Sequence, residues 1–302
     1  MINKKTIKLF WCSSKDHKNF GDELSPYIIS KLSGRKVTRV FPTTNQSISL
    51  ISAIISMMHS LRNHDAIEVV TSFINRRRKH ILGLGSIINR TNSNSIVWGS
   101  GIIVKEDIIK NADFRAIRGP LTQARLKLLG FNAPESMGDP GLLISRIFKP
   151  CVKPLYKVGI IPHYTDYEFI SSIIDNKEIK VIDLKTDNVE EVIEQINSCS
   201  LIISSSLHGL ITSHSYGIPA LWFRFGSSIG GDNIKFYDYY HSTEIFNAVN
   251  FSFTTCCINN IDDIVSLYEK NKEISLPKRE VIDLRCDQLL QSAPFPINFN
   301  KI

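Results

Sequence analysis

The sequence lacks the cysteine spacings that are typical of metal sites and disulfide-stabilised folds. None of its six cysteines forms a CxxC pair, and only Cys256 and Cys257 are adjacent. This spacing suits neither a zinc site nor a disulfide framework. We therefore interpret the cysteines as reduced thiols and predict no metal site.

Long apolar runs are also missing. Residues 48–58 form the most continuous run, but serines interrupt it and it is about half as long as a bilayer-spanning helix. After the N-terminal lysines the apolar stretch covers only residues 9–12, which is too short for the core of a signal peptide. We predict no transmembrane helix and no secretion, and we expect a cytoplasmic protein.

Acidic residues are outnumbered by basic ones, and the formal net charge is +7. Such a charge attracts phosphates, anionic sugars, nucleic acid or an anionic membrane leaflet without choosing among them, and a solvated surface explains it equally well. The basic run at residues 76–80 has no interleaved aromatics and precedes a strand that looks buried. We interpret it as a solvated face, predict no nucleic-acid partner, and regard peripheral contact with the inner face of the plasma membrane as compatible with the charge.

Apolar and charged residues make up 43% and 22% of the 302 residues, as in ordinary globular proteins, so a disordered or collagen-like chain is excluded. Short β-rich runs alternate with helical segments, which is typical of parallel sheets wound with helices. The predicted strands lie at residues 6–11, 81–84, 96–97, 116–117, 158–162, 181–184, 201–204 and 220–223, and the predicted helices at residues 23–33, 122–129, 167–175, 189–198 and 206–216.

Prolines flank residues 149–155, between two such series of elements. We therefore predict an α/β fold of two Rossmann-like domains that face a cleft. The first covers residues 1–150, the second covers residues 151–293, and an extended tail covers residues 294–302.

Ligands of open α/β sheets bind at the carboxyl ends of the strands, where this sequence has several loops rich in small residues. Gly21 and Asp22 follow the first strand, and a helix cap by Asp22 with a turn at Gly21 is the favoured interpretation from spacing alone. Gly85 and Gly99 each follow an apolar run and permit close approach of a ligand or of another segment. Neither loop matches a Walker or dinucleotide fingerprint, so no nucleotide is inferred.

Two charged residues stand at further strand ends. Arg118 precedes Pro120, which is placed to begin a helix, and a guanidinium beside a helix N-terminus suits a phosphate or a carboxylate. A surface ion pair is an equal alternative. Asp139 lies in a turn, where it either holds a basic partner across the cleft or caps the turn.

The segment at residues 204–209 is the strongest candidate. A β-rich strand runs into three serines, and the helix that follows carries His208 in its first turn, next to Gly209. Backbone amides, the Ser206 hydroxyl and an imidazole thus converge on one spot of the size of an anion. A lone histidine is more often structural, but its setting at a strand end favours function.

In their order along the chain, these segments resemble the polysaccharide pyruvyl transferase family over about residues 8–240. No single motif decides this, but the combination is specific. The segments are Asn-Phe-Gly-Asp at 19–22, Gly-Ser at 85–86, Trp-Gly-Ser-Gly at 98–101, Arg-Gly-Pro-Leu-Thr at 118–122, Gly-Asp-Pro-Gly-Leu-Leu at 138–143, Ser-Ser-Ser-Leu-His-Gly at 204–209 and Gly-Ile-Pro-Ala at 217–220.

The resemblance implies a two-domain fold similar to GT-B glycosyltransferases, phosphoenolpyruvate as the donor and a sugar diol as the acceptor, often on a lipid-linked repeat unit of an exopolysaccharide or capsule. Phosphoenolpyruvate is then a co-substrate, and no cofactor or metal is required. The family associates donor binding with an arginine at the position of Arg118, a histidine at that of His208 and a lysine in a later loop, for which Lys235 is the match here.

The donor carries a carboxylate and a phosphate, so its site needs several fixed cations and helix-terminal amides. Arg118, His208, Lys235 and Arg224 are the candidate cationic donor-binding residues, with Ser206 beside them. His208 is also the candidate acid or phosphate ligand, and Asp22 or Asp139 the group that orients or deprotonates the acceptor.

Two other functions remain open from the sequence. One is a GT-B glycosyltransferase that uses a nucleotide sugar, although the second half lacks the acidic pair that commonly binds the ribose. The other is a non-catalytic basic component of a polysaccharide assembly complex.

Overall fold

The first half of the chain forms a five-stranded parallel sheet. The structure is a computed structural model that describes residues 6–12, 18–40, 78–226, 230–254 and 256–299. The strands follow the order β2-β1-β3-β4-β5, and every neighbouring pair is parallel. They are β1 (Ile7–Phe10), β2 (Val37–Arg39), β3 (His80–Leu82), β4 (Ser95–Trp98) and β5 (Asp113–Ala116).

The second half forms a second five-stranded parallel sheet, in the order β10-β9-β8-β6-β7. Its strands are β6 (Tyr156–Ile161), β7 (Ile179–Val181), β8 (Cys199–Ser204), β9 (Ala220–Arg224) and β10 (Phe251–Ser252). When the strands are counted within each half, both sheets have the order 2-1-3-4-5 of doubly wound folds. The strand order reverses between β1 and β3 and between β6 and β8, so a ligand is expected at the carboxyl ends of these pairs.

The described residues contain ten α-helices, of which the last three follow the final strand: α1 (Phe20–Ser33), α2 (Pro120–Leu128), α3 (Ile144–Ile147), α4 (Tyr167–Ile173), α5 (Val189–Asn197), α6 (Leu207–Ser215), α7 (Ile234–Ser242), α8 (Ile261–Lys270), α9 (Lys272–Ser275) and α10 (Arg279–Gln291). Short 3₁₀ helices occupy Ile88–Arg90 and Pro140–Leu143. None of these helices has the length and apolarity needed to cross a bilayer.

Local sequence accounts for several helix ends. Gly34 ends α1 in the left-handed region, with φ 63°, and donates its backbone N–H to the Ser30 carbonyl. Pro120 is the first residue of α2, where its fixed φ fits and its missing N–H is not needed. Asn188 and Asn260 cap α5 and α8 by accepting backbone N–H groups.

The predicted α/β class and the alternation of strands and helices are confirmed. Two strands were placed too late: β5 covers Asp113–Ala116 rather than 116–117, and β7 covers Ile179–Val181 rather than 181–184. The chain turns after β7, because the Asp183 carboxylate accepts the backbone N–H of Lys185 at 2.8 Å. Strands β2 and β10 and every helix after α6 were absent from the prediction. The apolar run at residues 48–58 and the arginines at 76 and 77 lie outside the described residues.

The C-terminal helices pack against the first half of the chain. The indole nitrogen of Trp98, the last residue of β4, donates to the Leu289 carbonyl of α10 at 2.8 Å. Phe295 meets the Trp98 ring edge-on, with 5.1 Å between ring centroids. Arg146 binds the carboxylates of Asp283 and Asp287 on α10. The domain boundary at 149–155 stays a prediction, and these contacts join segments on both sides of it.

Candidate functional site

The two sheets meet where helix α1 approaches the imidazole of His208. Gly21 is buried in the first turn of α1, and a Cβ atom added to it would lie 2.1 Å from His208 Nδ1. Only glycine therefore permits this approach. Asn19 is the cap of α1, since its side chain accepts the N–H of Gly21 at 2.8 Å. The predicted cap at Asp22 is wrong: Asp22 lies inside the first turn, one residue after the N–H that is capped.

His208 is the second residue of α6, which follows β8 directly. Ser206 caps this helix by accepting the N–H of Gly209 at 3.4 Å, and Gly209 packs closely on the Ser204 hydroxyl. Within the described residues, the buried Nε2 of His208 has no hydrogen-bond partner. Burial, followed by the charges of Lys235 and Arg118, lowers the pKa of His208 to about 3. The imidazole is therefore neutral at physiological pH and has an unused nitrogen.

Lys235 brings a positive charge to the same place. It lies in the first turn of α7, and its ammonium lies 5.5 Å from the centre of the Phe236 ring. Burial and the nearby charge of Arg118 lower the pKa of Lys235 to about 8. The Lys235 charge in turn lowers the pKa values of His208 and His163. One ammonium thus lies near two imidazoles, at the carboxyl ends of β6 and β8.

Arg118 is completely buried, and its guanidinium has fixed partners. Its Nε donates to Asp238 Oδ2 at 3.0 Å, Nη1 to the Ser86 hydroxyl at 2.6 Å and Nη2 to the Ile102 carbonyl at 2.6 Å. Gly101 leaves room for it, because a Cβ there would lie 2.5 Å from Arg118 Cζ. The alternative of a surface ion pair is wrong, since neither Arg118 nor Asp238 has any exposed surface.

Asp238 joins helix α7 to the start of α2. Its carboxylate accepts the backbone N–H of Thr122 at 2.9 Å and the Thr122 hydroxyl at 2.6 Å, in addition to Arg118. Gly119 is required by the same contact, because a Cβ there would lie 2.0 Å from the Asp238 carbonyl oxygen. An element of the second half thereby fixes an arginine of the first half.

Asp139 has no exposed surface and caps the 3₁₀ helix Pro140–Leu143, accepting the N–H of Gly141 at 2.9 Å. Its Oδ2 is buried without a partner among the described residues. Burial raises the pKa of Asp139 to about 6, although the hydrogen bond from the Gly141 N–H and the charge of Arg118 both act to lower it. Of the two alternatives for Asp139, the turn-capping one is what the structure shows. Gly99, with φ 92°, allows the loop of Pro140 to lie against β4.

Asp22 is only partly buried, unlike Asp139. Burial raises the pKa of Asp22 to about 7, the charge of Glu23 adds to the increase, and Arg39 opposes it. Asp22 lies next to Gly21, and therefore beside the contact with His208. Its role at the site stays a prediction.

Residues 19–227 match the family of polysaccharide pyruvyl transferases. The match covers more than half of the chain and includes Gly21, Arg118, Asp139 and His208. The chain belongs to the polysaccharide pyruvyl transferase family.

Two relatives are consistent with this membership. An uncharacterized protein, L143, of Acanthamoeba polyphaga mimivirus is 38% identical over 171 residues, which cover 53% of this chain and 58% of the relative. The succinoglycan biosynthesis protein ExoV of Rhizobium meliloti (strain 1021) is 26% identical over 171 residues, which cover 53% of this chain and 52% of the relative. The chain thus spans about half of the length of these relatives.

The pyruvyl transferase match ends before Lys235. The resemblance placed that lysine through a loosely aligned loop, whereas the structure brings it close to His208 and Arg118 through the packing of α7. Arg224 is the last residue of β9, in register with Ser252 of β10. Within the described part of the chain, no hydrogen bond or ion pair joins the Arg224 side chain to the other predicted donor-binding residues.

From the sequence alone, no individual role was assigned to Ser86, His163 or Asp238. Ser86 and His163 both follow strands, so their position at a carboxyl end was a usable signal. Asp238 gave no such signal, because its partner Arg118 is 120 residues away. The chain also lacks any group of three His, Cys, Asp or Glu side chains placed to hold a metal ion, as far as its described residues extend.

Proposed function

We propose that this pyruvyl transferase family member uses phosphoenolpyruvate to form a pyruvate ketal on a sugar of an exopolysaccharide, capsule or other surface glycan. The observation that carries the proposal is the buried, unpartnered Nε2 of His208, which lies near the cations of Lys235 and Arg118. Membership of the family supports a transferase, and the name of ExoV supports a role in polysaccharide synthesis.

The donor fits the charge of this site. Phosphoenolpyruvate carries a carboxylate and a phosphate, and both are anions that an ammonium, an imidazole and helix-terminal amides bind well. Lys235 and His208 would contact the donor, together with Ser206 at the N-terminus of α6. Arg118 would contribute its positive charge from a position that Asp238 fixes. A bound anion would raise the pKa of His208, so the donor would itself promote protonation of the imidazole.

The reaction then balances without a metal or cofactor. Protonation of the donor methylene by His208 gives a methyl group and an electrophilic carbon. A first sugar hydroxyl forms a C–O bond to that carbon. A second hydroxyl then displaces the phosphate and closes the ketal. Two hydroxyl protons are released. One returns to His208 and replaces the proton given to the methylene, and the other leaves with the phosphate.

Asp22 is the carboxyl that we assign to orienting the acceptor, because it is only partly buried and lies beside Gly21. Asp139 has no exposed surface, so its proposed part is indirect, through the charges around Arg118. The proposal locates the reaction in the cytoplasm, at the inner face of the plasma membrane when the acceptor is lipid-linked. The net charge of +7 favours such contact with an anionic leaflet.

Thermal unfolding with and without millimolar phosphoenolpyruvate tests the donor. A ligand that binds only the folded protein raises the midpoint, by about 2.7 kcal/mol of added stability at a concentration of about 100 times Kd. We expect a rise in the wild type that His208→Ala and Lys235→Met abolish. Lys127→Met, which removes an exposed lysine of α2 away from these residues, is the matched control and should keep the rise.

The opposite result is equally clear. A wild type that does not respond to phosphoenolpyruvate but is stabilised by a nucleotide sugar such as UDP-glucose would overturn the proposed donor in favour of a glycosyltransferase. A rise that persists in both His208→Ala and Lys235→Met would place the donor elsewhere in the molecule.

A further inference from the structure

The loop after β6 holds a second imidazole beside the site. His163 lies two residues past Ile161, the end of β6, and its backbone N–H donates to the Ser205 hydroxyl at 2.6 Å. Ser205 follows β8 and directly precedes the cap of α6. His163 therefore stands at the β6/β8 pair, where the strand order of the second sheet reverses. Neither the family motifs nor the donor scheme gives it a role.

The hydrogen bonds of this loop favour one tautomer of His163. The Thr165 hydroxyl lies 2.8 Å from His163 Nδ1 and 3.3 Å from Asp166 Oδ1. A carboxylate only accepts, so the Thr165 proton is directed to Asp166 and the Thr165 oxygen accepts from His163 Nδ1–H. His163 Nε2 is then the nitrogen without a proton, and its lone pair is available as a base.

Burial and a nearby positive charge disfavour the protonated form of His163. Burial lowers the pKa of His163, the ammonium of Lys235 on α7 lowers it further, and Asp166 in its own loop opposes them. Gly226 leaves room for the Asp166 carboxylate, because a Cβ added to Gly226 would lie 2.7 Å from Asp166 Oδ1. The chain from Asp166 through Thr165 to His163 thus orients a neutral imidazole beside the ammonium of Lys235.

We propose that His163 Nε2 is the base that removes the proton from the attacking hydroxyl of the acceptor sugar. The first hydroxyl to attack forms its bond to the electrophilic carbon of the pyruvyl group while its proton moves to Nε2, and that proton is passed to the phosphate as the C–O bond to phosphate breaks. The proton of the second hydroxyl restores the one that His208 gave to the methylene. Thr165 is a positioning residue, since it acts through His163. This inference rests on the proposed function.

Exposure distinguishes His163 from Asp139, and protonation state distinguishes it from Asp22. Asp139 has no exposed surface with which to meet a sugar. Asp22 retains a proton up to about pH 7, because its pKa is raised to about that value. Asp22 must lose this proton before it can act as a base. A neutral imidazole whose Nδ1–H donates to a hydroxyl already has a free lone pair on Nε2.

The test compares wild type with His163→Gln, and with His241→Gln as the matched control. His241 is near the end of α7, where its ring contacts Tyr237 and Phe246. Phosphate release from phosphoenolpyruvate is measured with octyl β-D-glucopyranoside, octyl β-D-galactopyranoside and octyl α-D-mannopyranoside as acceptor probes. We expect His163→Gln to lower the rate by about 10²–10⁴-fold, as for loss of a general base. Its stabilisation by phosphoenolpyruvate should remain, and His241→Gln should match wild type in both assays.

The pH profile and the positioning residue give independent readouts. Wild-type activity should fall on acidification as His163 gains a proton, and this acid limb should be absent from the residual activity of His163→Gln. Thr165→Val should lower the rate about fivefold, the factor for loss of one ordinary hydrogen bond, and Thr165→Ser should restore it. Nitrogen-15 NMR of the free protein should show the His163 proton on Nδ1.

Two results would overturn the inference while leaving the proposed function intact. One is a His163→Gln variant that releases phosphate at the wild-type rate, and the other is an Nε2–H tautomer of His163 in the free protein. A wild type that phosphoenolpyruvate does not stabilise would instead overturn the proposed function, and His163 would lose its proposed role with it.

Discussion

Gly21 shows how a single missing side chain shapes the site. The glycine lets the first turn of α1 lie against the ring of His208, and any larger residue must displace one of them. Because α1 is anchored in the core by Phe20 and Leu24, both fully buried, we expect the imidazole to move. The orientation of His208 therefore depends on a residue of the other half of the molecule.

We expect Gly21→Ala to lower the free energy of unfolding by about 1–3 kcal/mol, as overpacking does, and to weaken stabilisation by phosphoenolpyruvate. Chemical denaturation and thermal unfolding with the ligand measure the two effects. Gly230→Ala is the control, because a Cβ at Gly230 meets no atom within 4 Å. Equal behaviour of the two variants would contradict the role of the close contact.

Asp22 makes stability depend on pH. Its pKa is about 7 in the folded chain, against a usual value of 3.8, because burial disfavours the charged form. Between these pH values the folded state holds a proton that the unfolded state has lost. The contribution of Asp22 to stability is thus fully present below about pH 4 and is lost as the pH rises through about 7.

Asn resembles the protonated form of Asp22, so Asp22→Asn should raise the unfolding midpoint relative to wild type at about pH 8 and change it little at about pH 4. Thermal unfolding at both values measures this. Asp187→Asn, at an exposed aspartate, should show no such dependence. If the midpoint of Asp22→Asn differed from that of wild type by the same amount at both pH values, burial would not be raising the pKa of Asp22.

Helix α7 links the two halves through consecutive side chains. Asp238 binds Arg118 and Thr122 of the first half, and Tyr239 lies 2.8 Å from His214 Nδ1 on α6. His214 Nε2 faces the carbonyls of Ala220 and Ser275, to which it donates, so Tyr239 donates its hydroxyl proton to Nδ1. Lys235 precedes Asp238 by three residues and shares its face of the helix. The helix thereby sets the distance between the Lys235 ammonium and the Arg118 guanidinium.

Removal of one partner of the buried pair should be costly. Asp238→Ala leaves the charge of Arg118 buried without its carboxylate, and such a loss typically lowers stability by about 3–5 kcal/mol. Asp113→Ala removes the partner of Arg115 in an exposed pair and should cost at most about 1 kcal/mol. Urea denaturation measures both losses of stability. Similar losses in the two variants would mean that the Arg118–Asp238 pair does not stabilise the fold as its buried geometry indicates.

At the scale of the whole molecule, the two sheets share one strand order and bring their reversal points together. The Gly21–His208 contact, the Arg118–Asp238 pair and the hydrogen bond from Trp98 to Leu289 all cross between the first half and the second. Because buried contacts join the halves at three places, neither half is expected to unfold alone. We expect the described parts of the two halves to unfold together.

The three tryptophans allow this to be measured. Trp11 and Trp98 report on the first half and Trp222 on the second. Two variants isolate these signals: Trp222→Phe, and the double variant Trp11→Phe, Trp98→Phe. In each variant, the denaturant midpoint measured by fluorescence should equal the midpoint measured by circular dichroism. A fluorescence midpoint that differs from the circular dichroism midpoint in either variant would show that the halves unfold separately.

The sequence predicted several elements from local signals. Apolar β-rich runs marked β1, β6, β8 and β9, and glycine and proline marked the ends of α1 and α2. Position after a strand was also enough to single out His208 and Arg118. The helices after residue 230 were not predicted, although Ile261, Ile264 and Leu267 of α8 recur at helical spacing after the Asn260 cap, which was a usable local signal.

By itself, then, the sequence determined the α/β class, the family motifs and the residues that follow each strand, since all of these depend on chain neighbours. Only the tertiary structure decided that Arg118 is buried against Asp238 and that the charge of Lys235 acts on both His208 and His163. The physical reason is that burial and long-range partners fix the charge and the orientation of a side chain. Neither property is encoded in the residues on either side of it.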